Sequence, residues 1–282
     1  MSRNSSRVQA VQEPEQPEMV QKQETVRRTA NTEFVELPSG GQFYDENHPL
    51  SGKEVVEIRY MTARDEDILT SPTLLRKGLA LDKFIQGILV DQSIDTDDLL
   101  IADKSAIMIA ARTTGYGPEY KIKVRCPACE TEGDHDIDLN NYQRWFVPAD
   151  ASGENPFSRT SKGFFTATLP VSGQQITVKL LTARDEKRIQ MNLETKSKKK
   201  LKESPTTDLL KSIVISIGEA SDPASISEVI MDLPARDSLF IRKHYGRLVP
   251  KVEMKDHLEC MYCGTESEME VPLEATFFWP DA

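Results

Sequence analysis

Cysteine is scarce, with four in 282 residues, too few for the disulfide-dense secreted scaffolds that replace a core with cross-links. Long hydrophobic runs are absent, and no stretch approaches the roughly 20 apolar residues of a membrane span. The opening residues carry charges and glutamines where a secretory signal has its apolar core. Positive charge is in deficit, 35 Lys and Arg against 45 Asp and Glu, for a net −10. Such a chain has no global field to draw in nucleic acid or an anionic membrane. Missing too are a P-loop, a G-x-G-x-x-G turn, a G-x-S-x-G elbow and an H-E-x-x-H helix. The usual sequence warrants for nucleotide binding, acyl hydrolysis and metalloprotease chemistry go with them. Thiols without an export signal point to a cytoplasmic setting.

What the chain does have is a paired arrangement of its four cysteines. Cys126-Pro127-Ala128-Cys129 and Cys260-Met261-Tyr262-Cys263 are two C-x-x-C turns with no thiol left over. Two such turns supply the four soft ligands that tetrahedral Zn²⁺ prefers. Each turn stands between strand-like stretches: Tyr120 to Val124 and His135 to Leu139, then Lys251 to Leu258 and Glu268 to Leu273. That is a hairpin with a knuckle at its tip, the zinc-ribbon pattern. The expectation is one Zn²⁺ held by Cys126, Cys129, Cys260 and Cys263, structural because four thiolates leave no open position for water.

Other uses of these thiols fit less well. A bridge within a C-x-x-C turn is strained, and a redox pair belongs at a strand-to-helix junction of a βαβ unit. A zinc deaminase needs its H-x-E well upstream of P-C-x-x-C, whereas His257-Leu258-Glu259 abuts Cys260. A remaining alternative pairs each knuckle with that of another chain, which would give zinc only in oligomers.

Met1 to Thr32 holds five Gln, two Pro and almost no large apolar residues. It cannot offset its ordering entropy and is expected to be a disordered tail when alone. From Glu33 onward the chain is written twice. Thr62-Ala63-Arg64-Asp65-Glu66 returns as Thr182-Ala183-Arg184-Asp185-Glu186, and Leu37-Pro38-Ser39-Gly40 is answered by Leu169-Pro170-Val171-Ser172. Asp103 precedes Cys126 by the same distance as Asp237 precedes Cys260. The expected class is α+β in two tandem related units, residues 33–139 and 163–282, joined through a shared four-cysteine zinc-ribbon-like site. Residues 140–162 are expected as a linker with a short helix at Tyr142 to Phe146.

Within each unit the pattern predicts a strand (Glu54 to Met61; Gln175 to Leu181) and a helix capped by Thr62 or Thr182. A second helix is expected over Leu74 to Val90 and Thr207 to Ile217, from apolar residues at helical spacing. Acidic loops follow at Asp91 to Asp98 and Glu219 to Ser227. A third helix is expected to be capped near Asp103 or Asp237 and stopped by Gly115 or Gly246.

Asp65-Glu66 and Asp185-Glu186 are adjacent on a helix and point about 100° apart, so they serve capping rather than acid/base chemistry. No catalytic residue is expected. The run Lys196 to Lys202 sits in an expected inter-helix connection and lacks aromatics to stack on bases. It reads as a solvated loop or a patch for an acidic protein. The Phe277-Phe278-Trp279 cluster is by default core, and alternatively an anchor for a partner.

The Leu37-Pro38-Ser39-x-Gly41 turn, the Tyr60-Met61-Thr62-Ala63-Arg64 junction, the Lys104 to Tyr116 segment and the C-P-x-C knuckle together resemble one family. They are similar to the baseplate hub assembly proteins of T4-type contractile-tailed bacteriophages, from about Phe34 to Leu139 and more loosely beyond. The resemblance implies a non-enzymatic viral protein that helps build, or forms part of, the tail baseplate hub. It would work in the host cytoplasm, and on the virion if retained, through contacts with other tail proteins. The competing function from another class is a zinc-ribbon nucleic-acid-binding module.

Overall fold

The computed structural model describes residues 31–149, 155–160, 163–200, 204–271 and 275–278. The tail up to residue 30, Lys202 of the basic run and Trp279 lie outside these. Strands β1 (Thr32–Glu36) and β2 (Val55–Arg59) form an antiparallel pair with Val35 opposite Val56. Their alternation sends Val35, Val56 and Ile58 into the core. Helices α1 (Ala63–Thr70), α2 (Pro72–Arg76), α3 (Ala80–Ile88) and α4 (Ile101–Tyr116) follow, then the hairpin β3 (Glu119–Arg125) and β4 (Glu132–Asp138).

After β5 (Phe146–Val147), strands β6 (Ser158–Arg159), β7 (Phe165–Thr168) and β8 (Gln175–Val178) build a sheet. Helices α5 (Ala183–Lys198) and α6 (Pro205–Ile213) lead to β9 (Val214–Ile217), which completes it in the order β6-β7-β8-β9. Helices α7 (Pro223–Met231) and α8 (Ala235–Leu248) precede β10 (Lys251–Val252), which pairs with β5. A second hairpin, β11 (Lys255–Glu259) and β12 (Glu266–Glu270), and a 3₁₀ turn at Ala275–Phe278 end the described chain. The class is α+β.

The capping boxes form where the sequence places them. Thr62 and Thr182 cap α1 and α5, and the carboxylates of Asp65 and Asp185 accept their backbone N–H groups at 2.8 and 3.2 Å. Both acids also do more than cap. Asp65 is buried and takes a two-pronged bond from Arg59 (2.7 and 2.8 Å), while Asp185 takes Lys179 on both oxygens at 2.7 Å. Burial works against the Asp65 charge, but the Arg59 and Thr62 bonds outweigh it and hold the carboxyl below its ordinary range.

Several expectations are corrected. The helix over Leu74 to Val90 is two helices. Gly78 at φ 65° closes α2, with Gly78 N–H bonded to Leu75 C=O and Leu79 N–H to Leu74 C=O, the C-terminal motif that favours glycine. The helix over Thr207 to Ile217 stops at Ile213, because the β-branched Val-Ile-Ser-Ile run pairs with β8 as a strand. Gly115 and Gly246 lie inside α4 and α8 rather than at their ends, and Gly117 at φ 87° terminates α4. The acidic segment Glu219 to Ser227 is only partly loop, since Asp222 caps α7 within it.

Asp103 and Asp237 are not caps either. Each stands at the third position of its helix, buried, and reaches back to the Leu-Pro turn of its own half. Asp103 accepts Ser39 N–H (3.0 Å), Ser39 O–H (2.6 Å) and Tyr44 O–H (2.7 Å); Asp237 accepts Val171 and Ser172 N–H at 2.8 and 2.9 Å. Two of the recurring sequence words are thus one contact. The helix N-terminus adds a favourable dipole to each carboxylate.

The halves interlock. Ala183 N–H bonds Leu99 C=O at 2.9 Å, Arg184 reaches Asp98 (2.9 Å) and Asp95 (3.2 Å), and Lys187 pairs with Asp82 (2.7 Å) and Asp97. Phe277 and Phe278 are fully buried in the first half, edge-on to Tyr120 and Phe84 respectively. They belong to the core, and the idea of Phe278 as an exposed anchor is withdrawn. In the segment expected as linker, Tyr142 and Trp145 are buried on a 3₁₀ turn, Tyr142–Trp145. The basic run starts inside α5, where Lys196 is tied to Asp208 (2.6 Å) and Ser204 (2.8 Å).

Candidate metal centre

The two hairpins bring their tips together. Cys126 Sγ lies 3.7 Å from Cys263 Sγ, Cys129 Sγ lies 3.7 Å from Cys260 Sγ, and all four sulfurs fall within 4.8 Å of one another. A regular tetrahedron of metal–sulfur bonds near 2.3 Å has sulfur–sulfur edges of about 3.8 Å. Two edges of the cluster match that value and no edge exceeds 4.8 Å, so the four thiols of one chain are close enough to hold a single metal ion. Cys126 and Cys260 are buried while Cys263 is exposed.

Both knuckles are built alike. In the first, Cys126 N–H bonds Thr131 C=O (3.0 Å) and Glu130 N–H bonds Cys126 C=O (2.9 Å); in the second, Cys260 bonds Thr265 (3.0 Å) and Gly264 bonds Cys260 (2.8 Å). The residue after the second cysteine is left-handed in both, Glu130 at φ 59° and Gly264 at φ 67°. Backbone donors turn inward, as thiolate ligands require: Ala128 N–H points at Cys126 Sγ at 3.4 Å.

The thiols are electrostatically unequal. Side-chain and backbone hydrogen bonds of Thr131 bring Cys129 down to about 6, and Thr265 likewise lowers Cys263, with Sγ 3.3 Å from its Oγ1. At Cys260 the N–H groups of Tyr262 and Cys263 pull downward, but burial and the neighbouring thiols Cys263 and Cys129 push it up to about 11.

Thr131 and Thr265 went unnoticed in the sequence, though both stand two residues after the second cysteine in a repeated C-x-x-C-x-T pattern. The hairpins are also tied below their tips. His135 Nε2 meets Asp256 Oδ2 at 2.9 Å, and Trp145 donates its indole N–H to Lys255 C=O at 2.8 Å. The fold and the cluster together define an α+β protein whose chemistry-bearing residues converge on one set of four thiols.

Residues 29–152 match the family model of the T4 bacteriophage base plate protein. Similarity to the T4-type baseplate family is thereby shown across that span, which includes Cys126 and Cys129 and ends before Cys260 and Cys263. No curated protein and no solved structure matches the chain significantly.

Proposed function

We propose that this protein is a non-enzymatic builder or component of the phage tail baseplate hub, acting through contacts with other tail proteins. The observation that carries the reading is the baseplate family match over residues 29–152. The residues an enzymologist would suspect are engaged structurally: Asp65 and Asp185 hold basic partners, and Asp103 and Asp237 hold loops. The work takes place in the host cytoplasm during assembly, and in the virion if the protein is retained.

Cys126, Cys129, Cys260 and Cys263 would hold one structural Zn²⁺, on the strength of the 3.7 Å sulfur separations. Bound there, the ion supplies cross-linking rather than reactivity, joining chain segments more than 130 positions apart. The two halves, 33–139 and 163–282, are read as tandem related units that share this zinc-ribbon-like site. The matched knuckle backbones, the matched capping boxes and the matched Asp-to-turn contacts support that duplication.

Two measurements test the proposal. Elemental analysis of the chain purified under reducing conditions should give one zinc per chain, in monomers as well as oligomers; a metal-free folded chain would remove the zinc. Full-length protein drawn from infected cells should bring hub proteins with it. Recovery of DNA or RNA through high-salt washing, with no tail protein, would sink the baseplate reading in favour of a nucleic-acid module.

A further inference from the structure

The two hairpins share a backbone plan and differ in what they show to solvent. On the outer face of β3–β4 the three rungs nearest the tip pair opposite charges, Lys121 with Asp136, Lys123 with Asp134 and Arg125 with Glu132, and the like-charged rung, Glu119 with Asp138, stands at the far end from the cysteines. The half of that face near the tip neutralises itself, and the tip carries only Pro127 and Ala128 between the cysteines. On the outer face of β11–β12 the rungs are Lys255 with Glu270, His257 with Glu268, and Glu259 with Glu266. Lys255 is drawn toward Glu253 at 3.4 Å. Glu259 and Glu266 are exposed like charges directly opposite one another, an arrangement that destabilises an isolated hairpin.

Beside that repulsive rung stand Met261 and Tyr262, 86% and 66% exposed, the two most exposed large apolar side chains among the described residues. They are adjacent in sequence and held on a turn bounded by Cys260 and Cys263. Tyr262 leans back toward Gly133 of the first hairpin. The tyrosine on a fixed turn loses little side-chain freedom on binding, and the polarizable, adaptable methionine can fill an irregular apolar socket. Glu259, Glu266 and Glu268 on the same face favour a cationic rim.

We infer that the tip and outer face of the second hairpin (Met261, Tyr262, Glu259, Glu266, Glu268) dock on a tail protein presenting an apolar socket rimmed by lysine or arginine. The inference rests on the baseplate reading and names the surface and the chemistry of the partner. Docking would relieve the Glu259–Glu266 repulsion and cover both apolar side chains. The first hairpin, charge-balanced and small at its tip, would remain free.

The test uses the full chain recovered with its tail proteins from infected cells and treated with a carbodiimide, which couples carboxylates to lysine amines at zero length. Peptide mapping should place cross-links from Glu259, Glu266 or Glu268 on lysines of one tail protein, and none from Asp134 or Asp136. Met261→Ser with Tyr262→Ser should cut that cross-link yield tenfold or more. Glu266→Lys, which leaves the apolar tip intact and turns the repulsive rung into an opposite-charge pair, should lower recovery of the same protein while metal content stays as in the parent and thermal unfolding is no lower than in the parent. Cross-links that run only between copies of this chain would overturn the proposal, as would cross-links mapping elsewhere or undiminished in the variants. If tail proteins are recovered but cross-link elsewhere, the docking surface falls and the baseplate reading stands. If none is recovered, both fall.

Discussion

Asp103→Ala tests whether the Leu-Pro turn of the first half is held to α4 by a carboxylate staple. In the native chain Asp103 receives three donors, Ser39 N–H, Ser39 O–H and Tyr44 O–H, at 3.0, 2.6 and 2.7 Å. A hydrogen bond to a charged group contributes about 1.5–3 kcal/mol, and a stranded buried donor costs about 1–3 kcal/mol. The loss is not the full sum. Ser39 Oγ also accepts Gly41 N–H, and Tyr44 Oη accepts Leu100 N–H, so both hydroxyls retain one contact.

Alanine should therefore cost about 3–5 kcal/mol, with Ser39 N–H as the largest single loss. Asp103→Asn should cost only about 1–2 kcal/mol, since its amide oxygen still accepts Ser39 N–H and a buried charge disappears. The assay is urea unfolding of the full chain, parent and variants side by side. The pH dependence has a definite sign. Burial outweighs the Ser39 and Tyr44 bonds and raises the Asp103 carboxyl above its ordinary range. The folded state then holds this proton more tightly than the unfolded one, so the contribution is full below the unfolded value near ~3.9 and declines as pH rises through the folded value. Asparagine removes that slope. An alanine cost below about 1 kcal/mol, or asparagine as costly as alanine, would refute the staple.

Three further outcomes follow from the geometry. Asp65→Asn should show the opposite slope: the Asp65 carboxyl is lowered, so its stabilisation is present above about pH 4 and lost in acid, and parent and variant should converge in acid urea titrations. Glu130→Gly should be neutral or stabilising by up to about 1 kcal/mol, because it relieves a left-handed residue at the loss of one exposed ion pair, whereas Gly264→Glu should cost about 1–2 kcal/mol; thermal unfolding compares them. Cys260→Ser should speed amide exchange in β3 and β4 by about tenfold or more, since metal binding is coupled to folding and the first hairpin shares the site; unchanged protection there would mean the knuckles hold no common ion.

Much of this architecture is local in origin, and that part was legible. Thr62 and Thr182 announce their helices through capping chemistry, and the cysteine turns announce hairpin tips because strand-like residues flank them. What escaped depends on distant partners. Asp103 has the composition of a cap, and only the arrival of Ser39 and Tyr44 turns it into a loop staple. Val214 and Ile217 fit a helical stripe as well as a strand, and pairing with β8 decides between the two. Phe277 and Phe278 stand late in the chain like anchors, yet their burial is set by Phe84 and Tyr120, far away in sequence. The Arg59 and Lys179 partners of the capping acids were visible in principle, as basic residues six positions before each acid.

The last described turn has a consequence for the order of events on the ribosome. Arg112 is fully buried on α4, and its guanidinium bonds three carbonyl oxygens: Gly117 at 2.7 Å, Glu119 at 3.1 Å and Phe277 at 3.1 Å. The first two oxygens emerge within a few residues of the arginine, and the third emerges 165 residues later. During synthesis α4 and β3 can therefore take shape early, but the cavity for Phe277 and Phe278 stays open and one guanidinium donor waits for its acceptor. An unfinished chain is an open core, not a usable half. Closure of the first half waits until Phe278 has emerged, so a chain cut anywhere before that residue keeps its first core open.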